Sequence, residues 1–272
     1  MKKFKKQFMA CILTAAMTVC TFATVTPANA ATPTAKQYIT KMGKAVKKAN
    51  SYELKQTSKM TGSMMGQSVD VTETQKQIYF KKPAKIKTVA TSKSTAYGTS
   101  TTTKSVSYAK KASDGHYYLY QSSNGGAYTK MDITDLTSQT LNWDASSYSS
   151  AKIVKNNVKV SGINTVQISA KVKGKALGEI FGQLGLGDLF SQVGIDFSTM
   201  KPIKVTLWID KKTYRPVKIK SDSTDFINDY METLYSSMGM SGYGGTYSKL
   251  VATTTYSKFN KATNFKIPSS CK

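Results

Sequence analysis

Short stretches rich in threonine, valine, isoleucine and tyrosine follow one another from Tyr52 almost to the end of the chain, separated by residues that favour turns. This pattern of composition and turn spacing is typical of an antiparallel sheet. Asp114-Gly115, Asn124-Gly125 and Ser161-Gly162 favour tight hairpins because these residue types tolerate positive φ angles. Most strands that are neighbours in the sequence should therefore be neighbours in the sheet. The pattern predicts strands near residues 52–60, 69–80, 85–92, 104–111, 116–122, 127–131, 152–160, 163–172, 203–210, 213–221 and 247–257.

The strand pair predicted around residues 203–221 alternates most clearly between apolar and polar side chains. Successive side chains of a strand point to opposite faces of the sheet. One face of the first strand carries Ile203, Val205, Leu207 and Ile209, and the other carries Lys204, Thr206, Trp208 and Asp210. The returning strand separates Val217 and Ile219 from Lys218 and Lys220 in the same way. We therefore expect a sheet with one apolar face and one face that bears lysines.

An amphipathic helix is predicted over residues 35–49, before the first strand. Thr34 is a suitable N-cap. Ile39, Met42, Val46 and Ala49 recur at steps of three and four, and five lysines take other positions of the helix: Lys36, Lys41, Lys44, Lys47 and Lys48. Docking on the body of the domain is the simpler interpretation, and membrane binding through the basic face is the alternative.

Three segments contain no basic residue: between Lys130 and Lys152, between Lys175 and Lys201, and between Lys220 and Lys249. The middle segment has a helical apolar face formed by Leu177, Ile180, Phe181 and Leu184, and the pattern resumes at Leu189, Phe190 and Val193. The last segment has a wider stripe before Gly239, formed by Phe226, Ile227, Tyr230, Met231, Leu234, Tyr235 and Met238. Burial of either set would contribute roughly 10 to 20 kcal/mol. Both must therefore pack on the sheet, on each other or on a ligand.

Glycine recurs at every fourth position where the middle segment begins, at Gly174, Gly178 and Gly182. Such a repeat occurs in membrane helix dimers. Here the apolar run is too short to span a bilayer and contains Glu179 and Gln183. The repeat instead predicts that another segment packs closely on this helix.

The first thirty residues have the features of a secretory signal peptide. Four lysines precede an uncharged run from Phe8, and the run ends in Ala28-Asn29-Ala30, a small-x-small cleavage pattern. Cleavage after Ala30 would leave residues 31–272 as a single exported domain. A lipid-modified Cys20 and an uncleaved anchor are the alternatives. No later run approaches the ~20 uncharged apolar residues of a membrane span.

The predicted mature chain of 242 residues is strongly basic, with 35 basic and 15 acidic side chains. All the basic residues except Arg215 are lysines. Sequence-specific nucleic-acid readers rely on the planar fork of arginine, so that class is disfavoured. Hydrated lysines suit loose attraction to lipid head groups or to anionic cell-wall polymers. Alternatively, the lysines only solvate the outer faces of the strands.

Few residues of the chain are suited to catalysis or metal binding. His116 is the only histidine, follows a predicted turn and lacks a nucleophile motif nearby. The acidic residues of the last segment have the spacing of a helix start and a solvated face, with no calcium-loop pattern. Cys271 is the only cysteine outside the predicted signal, so it could pair only with another molecule. We predict a non-enzymatic protein with no catalytic residues, no metal and no cofactor.

Three stretches, taken in order, resemble a known family. Ala49-Asn50-Ser51-Tyr52-Glu53-Leu54 joins a helix to the first strand, and a hairpin runs from Val205 to Lys218 with a proline early in its second arm. Tyr256-Ser257-Lys258-Phe259-Asn260 and Phe265-Lys266-Ile267-Pro268 close the chain. The arrangement resembles the LolA-like and LppX/LprG-like lipoprotein and lipid carriers, particularly secreted relatives from Gram-positive bacteria.

The resemblance implies an α+β fold: a curved antiparallel half-barrel of about eleven strands with an N-terminal helix and helical lid inserts. It also implies an apolar cavity for acyl chains between the sheet and the helices. The middle and last lysine-free segments would be the lid inserts. The chain departs from the lipidated members of the family because it has no credible lipid-attachment cysteine.

The leading hypothesis is a secreted, monomeric carrier or binding protein for a lipid, a lipoprotein or another amphipathic ligand. Its predicted ligand-binding residues are Leu177, Ile180, Phe181, Leu184, Phe190, Phe226, Tyr230, Met231 and Leu234. The alternative is a structural or interaction domain of the cell envelope with a filled core, which surface lysines hold to anionic cell-wall polymer or membrane head groups. A hydrolase that depends on His116 is the third and least favoured hypothesis.

Overall fold

The computed structural model describes residues 33–64, 66–96, 98–133, 145–183, 195–240 and 245–271. Within these ranges eleven strands form one antiparallel sheet that is not closed into a barrel. The strands are β1 (Ser51–Met64), β2 (Gln67–Lys81), β3 (Ala84–Ala96), β4 (Thr99–Lys111), β5 (Tyr117–Ser123), β6 (Thr129–Ile133), β7 (Tyr148–Val160), β8 (Ile163–Val172), β9 (Ile203–Asp210), β10 (Pro216–Asp222) and β11 (Thr246–Ser257). The predicted α+β half-barrel is thus confirmed.

The order of strands across the sheet is β6-β5-β4-β3-β2-β1-β11-β10-β9-β8-β7. Two meanders, β1 to β6 and β7 to β11, are therefore joined where the first strand pairs with the last. Positive φ angles occur at Gly115, Asn124, Gly125, Ser161 and Gly162, in the three predicted hairpin turns. This local chemistry explains why most sequence neighbours are also neighbours in the sheet.

β10 begins three residues later than predicted, because the preceding turn is longer. The Tyr214 N–H donates to the Asp210 carbonyl at 2.9 Å, and the Asp210 N–H donates to the Arg215 carbonyl at 2.9 Å. Tyr214 has a φ of 57°. The β-prone residues Thr213 and Tyr214 thus form the turn instead of extending the strand.

The described helices are α1 (Ala35–Lys48), α2 (Gly174–Gln183) and α3 (Thr224–Ser237). A capping box begins α1: the Gln37 N–H donates to Thr34 Oγ1 at 3.3 Å, and the Thr34 N–H donates to Gln37 Oε1 at 2.8 Å. α3 ends where Gly239 adopts a φ of 69°, the left-handed conformation common at helix C-termini. None of the described helices is long and apolar enough to cross a bilayer.

We call the sheet face that carries Ile203, Val205, Leu207 and Ile209 the inner face, and the opposite face the outer face. These four side chains are buried, and the residues between them are more exposed. Apolar side chains of all three helices join them in one core cluster, among them Ile39, Met42, Leu177 and Phe226. The helices therefore cover part of the inner face, and the prediction that α1 docks on the sheet is correct.

The C-terminal segment, residues 258–271, returns across the outer face of β1 to β5. Phe265 and Cys271 are buried against Tyr108 and Tyr120, which point away from the inner face. Lys85 Nζ donates to the Phe265 carbonyl at 2.8 Å, and Lys110 Nζ donates to the Cys271 carbonyl at 2.9 Å. The outer face is therefore part solvated and part covered by the end of the chain.

Candidate ligand-binding face

Lysine is confined almost entirely to the outer face of the sheet. The strand registers place sixteen lysines on that face: Lys55, Lys59, Lys76, Lys85, Lys87, Lys93, Lys104, Lys110, Lys130, Lys152, Lys155, Lys171, Lys204, Lys218, Lys220 and Lys249. In the described strands, the lysines with the inner orientation are Lys81, Lys111 and Lys159, each in the last two residues of its strand. The inner face is thus without cationic side chains over most of its area.

The last lysine-free segment covers the inner face at β9 and β11. Phe226, Tyr230 and Met231 of α3 are buried in the core cluster. The Phe197 ring stacks on Phe226 at 6.3 Å and on Tyr230 at 6.4 Å between centroids. Burial raises the pKa of Tyr230 to about 12. α3 is therefore packed into the core, and the Tyr230 phenol is neutral there.

Polar contacts fix both the start and the middle of α3. Lys204 Nζ lies 2.7 Å from Asp225 Oδ2, and its hydrogen bond lowers the pKa of Asp225. The Lys201 N–H donates to Asp229 Oδ2 at 2.8 Å. Asn228 donates to the Tyr247 carbonyl at 2.9 Å and accepts from its N–H at 2.7 Å. These bonds tie α3 to Lys201, two residues before β9, to β9 itself and to β11.

The glycine repeat lets the non-helical residues 195–200 approach α2 closely. A Cβ on Gly174 would lie 2.0 Å from the Phe197 carbonyl oxygen, and a Cβ on Gly178 would lie 3.1 Å from Phe197 Cβ. Leu177, between them, is 1% exposed. Close packing at the first two glycines therefore accompanies the burial of Leu177 and of Ala176 beside it.

The predicted ligand-binding residues fall into three groups. Leu177, Phe226, Tyr230 and Met231 are buried in the core cluster, and Leu234 is half-buried against it. Ile180 and Phe181 belong to α2, but their side chains are not described. Leu184 and Phe190 lie outside the described residues. The structure thus brings five of the nine together, and contact with a ligand stays a prediction.

Polar side chains cross the middle of the inner face, on strands β11, β1 and β2. Gln56 is in register with Thr254 on one side and Gln75 on the other, and Thr254 Oγ1 donates to Gln56 Oε1 at 3.0 Å. All three are 7% exposed. We call this group, together with three residues beside it, the inner polar belt: Gln56, Ser58, Glu73, Gln75, Gln77 and Thr254.

Three members of the inner polar belt are only partly satisfied within the described residues. Ser58 is 1% exposed, and its Oγ atom has no hydrogen-bond partner there. Glu73, between Ser58 and Ser92 in the register, is half-buried and forms no ion pair with a described residue. Burial raises the pKa of Glu73. The Gln77 amide reaches Thr88 Oγ1 only at 3.4 Å. Buried polar groups of this kind normally find partners.

The inner polar belt is not among the predicted sites, although the alternation of side chains in β1 indicates part of it. Lys55 and Lys59 must face solvent, so Gln56 and Ser58 must face inward with Leu54 and Met60. The same alternation around Lys76 turns Gln75 and Gln77 inward. Amide and hydroxyl side chains are neither apolar nor charged, so apolar periodicity and charge spacing do not indicate them, and Glu73 stands alone among them as an ionisable residue.

The aromatic residues interleaved with lysine pack within the protein. Phe80 contacts Phe265 edge-on at 5.9 Å between centroids, and Lys85 Nζ lies 4.6 Å from the Phe265 centroid. Lys130 Nζ lies 3.9 Å from the Tyr118 centroid. Such cation–π contacts hold lysine stems against the outer face. These rings therefore belong to the packing of the outer face.

His116 lies beside Asp114 and Tyr118, just before β5. His116 is exposed, its N–H donates to Asp114 Oδ1 at 2.9 Å, and its ring stacks on Tyr118. Among the described residues, no group of three or more histidine, cysteine, aspartate or glutamate side chains is placed to hold a metal ion. The inner face is therefore the candidate site.

Comparison with known proteins finds similarity in structure only. No family model and no curated protein matches the chain. Among solved structures, lipoprotein LppX of Mycobacterium tuberculosis has 14% identity and a TM-score of 0.41, with 85% of this chain and 97% of that one covered. LppX is named in the group that the three sequence stretches resemble.

Two further solved structures are similar to the chain. A DUF1329 family protein from Desulfovibrio piger has 9% identity and a TM-score of 0.27, with 84% of this chain and 91% of that one covered. A putative outer membrane lipoprotein-sorting protein domain from Vibrio parahaemolyticus has 10% identity and a TM-score of 0.22, with 75% and 83% covered.

The close approach at α2 gives a prediction with a matched control. Gly174→Ala is expected to lower the free energy of unfolding by about 1 to 3 kcal/mol, because its Cβ would overlap a backbone oxygen. Gly178→Ala meets only a side chain and gains helix propensity of up to about 1 kcal/mol, so it should be nearly neutral. Urea unfolding of both variants measures the difference. Equal midpoints would contradict the described contact with Phe197.

Proposed function

We propose that the protein is a secreted, non-enzymatic carrier or binding protein for a lipid, a lipoprotein or another amphipathic ligand. The ligand would be held between the inner face and the covering helices, and the predicted signal at residues 1–30 would direct export. Leu177, Phe226, Tyr230, Met231 and Leu234 would meet its apolar part, as would Ile180, Phe181, Leu184 and Phe190.

The observation that carries this proposal is the separation of charge across the sheet. Lysines line the outer face, whereas the inner face lacks them except at strand ends and joins the apolar sides of three helices. An acyl chain is favoured where apolar surface replaces water and no charged group loses its hydration. The inner face meets both conditions beside α3.

The test is whether native protein holds and binds lipid. Mass spectrometry of organic extracts should detect co-purified lipid, and a fluorescent fatty acid should bind to protein from which lipid has been removed. Leu234→Gln should weaken binding of the fatty acid about tenfold, since one apolar contact is lost. Met238→Gln, on an exposed side chain of the same segment, should not. No lipid in the extract and no binding of the probe would refute the proposal.

The sixteen outer-face lysines favour a second candidate, an envelope-associated domain bound to anionic cell-wall polymer or head groups. Clustered lysines attract polyanions, and salt screens this attraction over ~8 Å at physiological ionic strength. In that case moderate salt would release the protein from cell envelopes, and the fatty acid would not bind. Release by salt together with binding of the fatty acid would support both activities.

A further inference from the structure

Four threonines form a row across the outer face, one on each of four neighbouring strands. Thr57 of β1 is in register with Thr253 of β11 on one side and with Thr74 of β2 on the other. Thr74 is in turn in register with Thr91 of β3. Two of the four are exposed and two are half-buried, and none of their hydroxyl groups forms a hydrogen bond with a described residue. We call them the threonine row, a line of hydroxyls that a ligand can reach.

Four exposed lysines border the threonine row and form no ion pair with a described residue: Lys55, Lys93, Lys104 and Lys220. We call them the border lysines. Lys220 of β10 and Lys104 of β4 are in register with the two end members of the row, so they extend it at both ends. Lys55 and Lys93 lie on its two long sides, each two residues from a threonine of the row. The hydroxyls are therefore surrounded by positive charge.

Acidic side chains do not neutralise the border lysines. On the described strands that carry the row and its border, the outer-face acids are Glu53, Asp70 and Asp222. Each of them already accepts a hydrogen bond within the protein. A patch that carries one sign of charge attracts ligands of the opposite sign. The row and its border thus favour an anionic ligand.

The chemistry and the length of the row suit a chain of phosphates. Threonine hydroxyls and lysine ammonium groups can both donate to phosphate oxygens, and lysine binds phosphate as a point charge. Lys220 and Lys104 are five strand spacings apart, which is about 24 Å along the sheet at about 4.8 Å for each spacing. A single phosphate group would reach only one part of this line. A linear chain that carries several phosphates would reach all of it.

Shape and composition favour a flexible chain over a membrane or a nucleic acid. The outer face of the half-barrel is convex, so a flat bilayer would meet few of the strands that carry the border lysines. Single-stranded nucleic acids are usually held by aromatic rings that stack on the bases. No aromatic ring lies in the threonine row or in the two registers beside it on β11, β1, β2 and β3.

We propose that the threonine row and the border lysines bind a linear polymer of the cell envelope in which phosphodiester groups repeat along an uncharged chain. The inference rests on the second candidate of the proposed function, because it assigns the binding of anionic polymer to one part of the outer face. The polymer would run across the strands, with phosphate oxygens on the hydroxyls and ammonium groups at the ends and sides. The inner face takes no part, so this binding is independent of the carrier function.

Titration of fluorescently labelled poly(glycerol phosphate) with the protein at several salt concentrations tests the inference. Each phosphate contact of a single strand contributes about 0.7 to the salt dependence, so four border lysines predict a slope of about −3 in a plot of log K against log salt. Lys55→Gln, Lys93→Gln and Lys220→Gln combined should change the slope to about −1 and weaken binding at low salt at least about tenfold.

The matched control removes the same charge from other exposed lysines. Lys36→Gln and Lys48→Gln change the two ends of α1, and Lys212→Gln changes the turn between β9 and β10. Combined, these three substitutions should leave the slope near about −3, because none of the three lysines borders the row. Circular dichroism melting shows whether each variant is folded.

The hydroxyls of the row are tested without a change in charge. Thr57→Val combined with Thr74→Val keeps two residues that favour strands. It should weaken binding at least about tenfold at an unchanged salt slope, because two hydrogen bonds to charged groups are lost. Thr99→Val combined with Thr101→Val is the control, since both residues are exposed on the opposite face of β4. That variant should bind like the wild type.

The possible results separate this site from the proposed functions. An equal loss of slope in both lysine variants would show diffuse attraction, overturn the site and leave the second candidate intact. Tighter binding of phosphatidylglycerol vesicles or of single-stranded DNA than of the polymer, at equal phosphate, would also overturn it. Binding of none of these polyanions at low salt would refute the site and the second candidate together. Binding of the fluorescent fatty acid by the same variants reports separately on the carrier function.

Discussion

Phe226→Ala is expected to lower the free energy of unfolding by about 3 to 5 kcal/mol. Phe226 is 1% exposed, lies in the core cluster between α3 and the inner face, and stacks on Phe197. Removing its ring leaves a cavity that rigid neighbours on β9 and β11 cannot fill. For a domain of this size, the melting temperature should fall by roughly 10 °C or more.

The measurement is thermal and urea unfolding of residues 31–272, with Met238→Ala as control. Met238 is 47% exposed just after α3, so its truncation should change stability by less than about 0.5 kcal/mol. If Phe226→Ala had the same melting temperature as the wild type, α3 would not be part of the cooperative core. The last lysine-free segment would then be a cover that lifts without unfolding the sheet.

Glu53→Gln is the second large effect that we expect, and it depends on pH. Glu53 projects from the outer face of β1, with its side chain 5% exposed. Its Oε1 accepts from the Thr263 N–H at 3.0 Å and lies 3.1 Å from Lys258 Nζ, while its Oε2 lies 3.4 Å from Lys76 Nζ. Burial alone would raise the pKa of Glu53, but the bonds from Thr263 and Lys258 outweigh it and lower the pKa to about 2.

The lowered pKa determines the direction of the effect. Because the carboxylate is favoured in the folded state, its stabilisation is complete above the unfolded pKa of about 4.3 and is lost as the pH falls through about 2. Glu53→Gln keeps the shape and removes the charge. It should cost about 1.5 to 3 kcal/mol at pH 7, the usual contribution of hydrogen bonds to a charged group.

Melting curves between pH 7 and pH 2 test this prediction. The difference between wild type and Glu53→Gln should shrink steadily below about pH 4 and vanish near pH 2. Asp70→Asn is the control, since Lys59 and Asp70 are each 52% exposed at 4.0 Å and such a pair contributes about 0.5 kcal/mol or less. A constant difference between wild type and Glu53→Gln across this range would contradict the role of the charge.

Local patterns predicted most of the secondary structure. Alternation around Lys204 and Lys218, turn residues such as Asn124-Gly125, and the Thr34 cap each act within a few residues, and the structure confirms them. The longer β1 to β4 were underestimated, because their ends are rich in serine, threonine and lysine, which resemble loops in composition.

Contacts between distant parts of the chain could not be predicted in the same way. The C-terminal segment has no periodicity of its own, and its place on the outer face depends on Glu53, Lys85 and Lys110, more than 150 residues away. The inner polar belt likewise depends on the register of β1 with β2 and β11. Alternation shows which side chains face inward, but only register shows which of them meet.

The irregular pairing of β7 bears on how the protein avoids self-association. In the described sheet β7 pairs with β8 alone, and its register shifts three times, between Ser149 and Lys152, between Ile153 and Lys155, and between Lys155 and Val158. A straight terminal strand invites another chain to continue the hydrogen-bonding ladder. The bulges bend the free edge of β7. In a second chain paired with this edge, Lys152, Lys155 and Lys159 would lie close to the same three lysines and repel them. The irregular pairing of β7 therefore disfavours the addition of a second chain at this edge of the sheet.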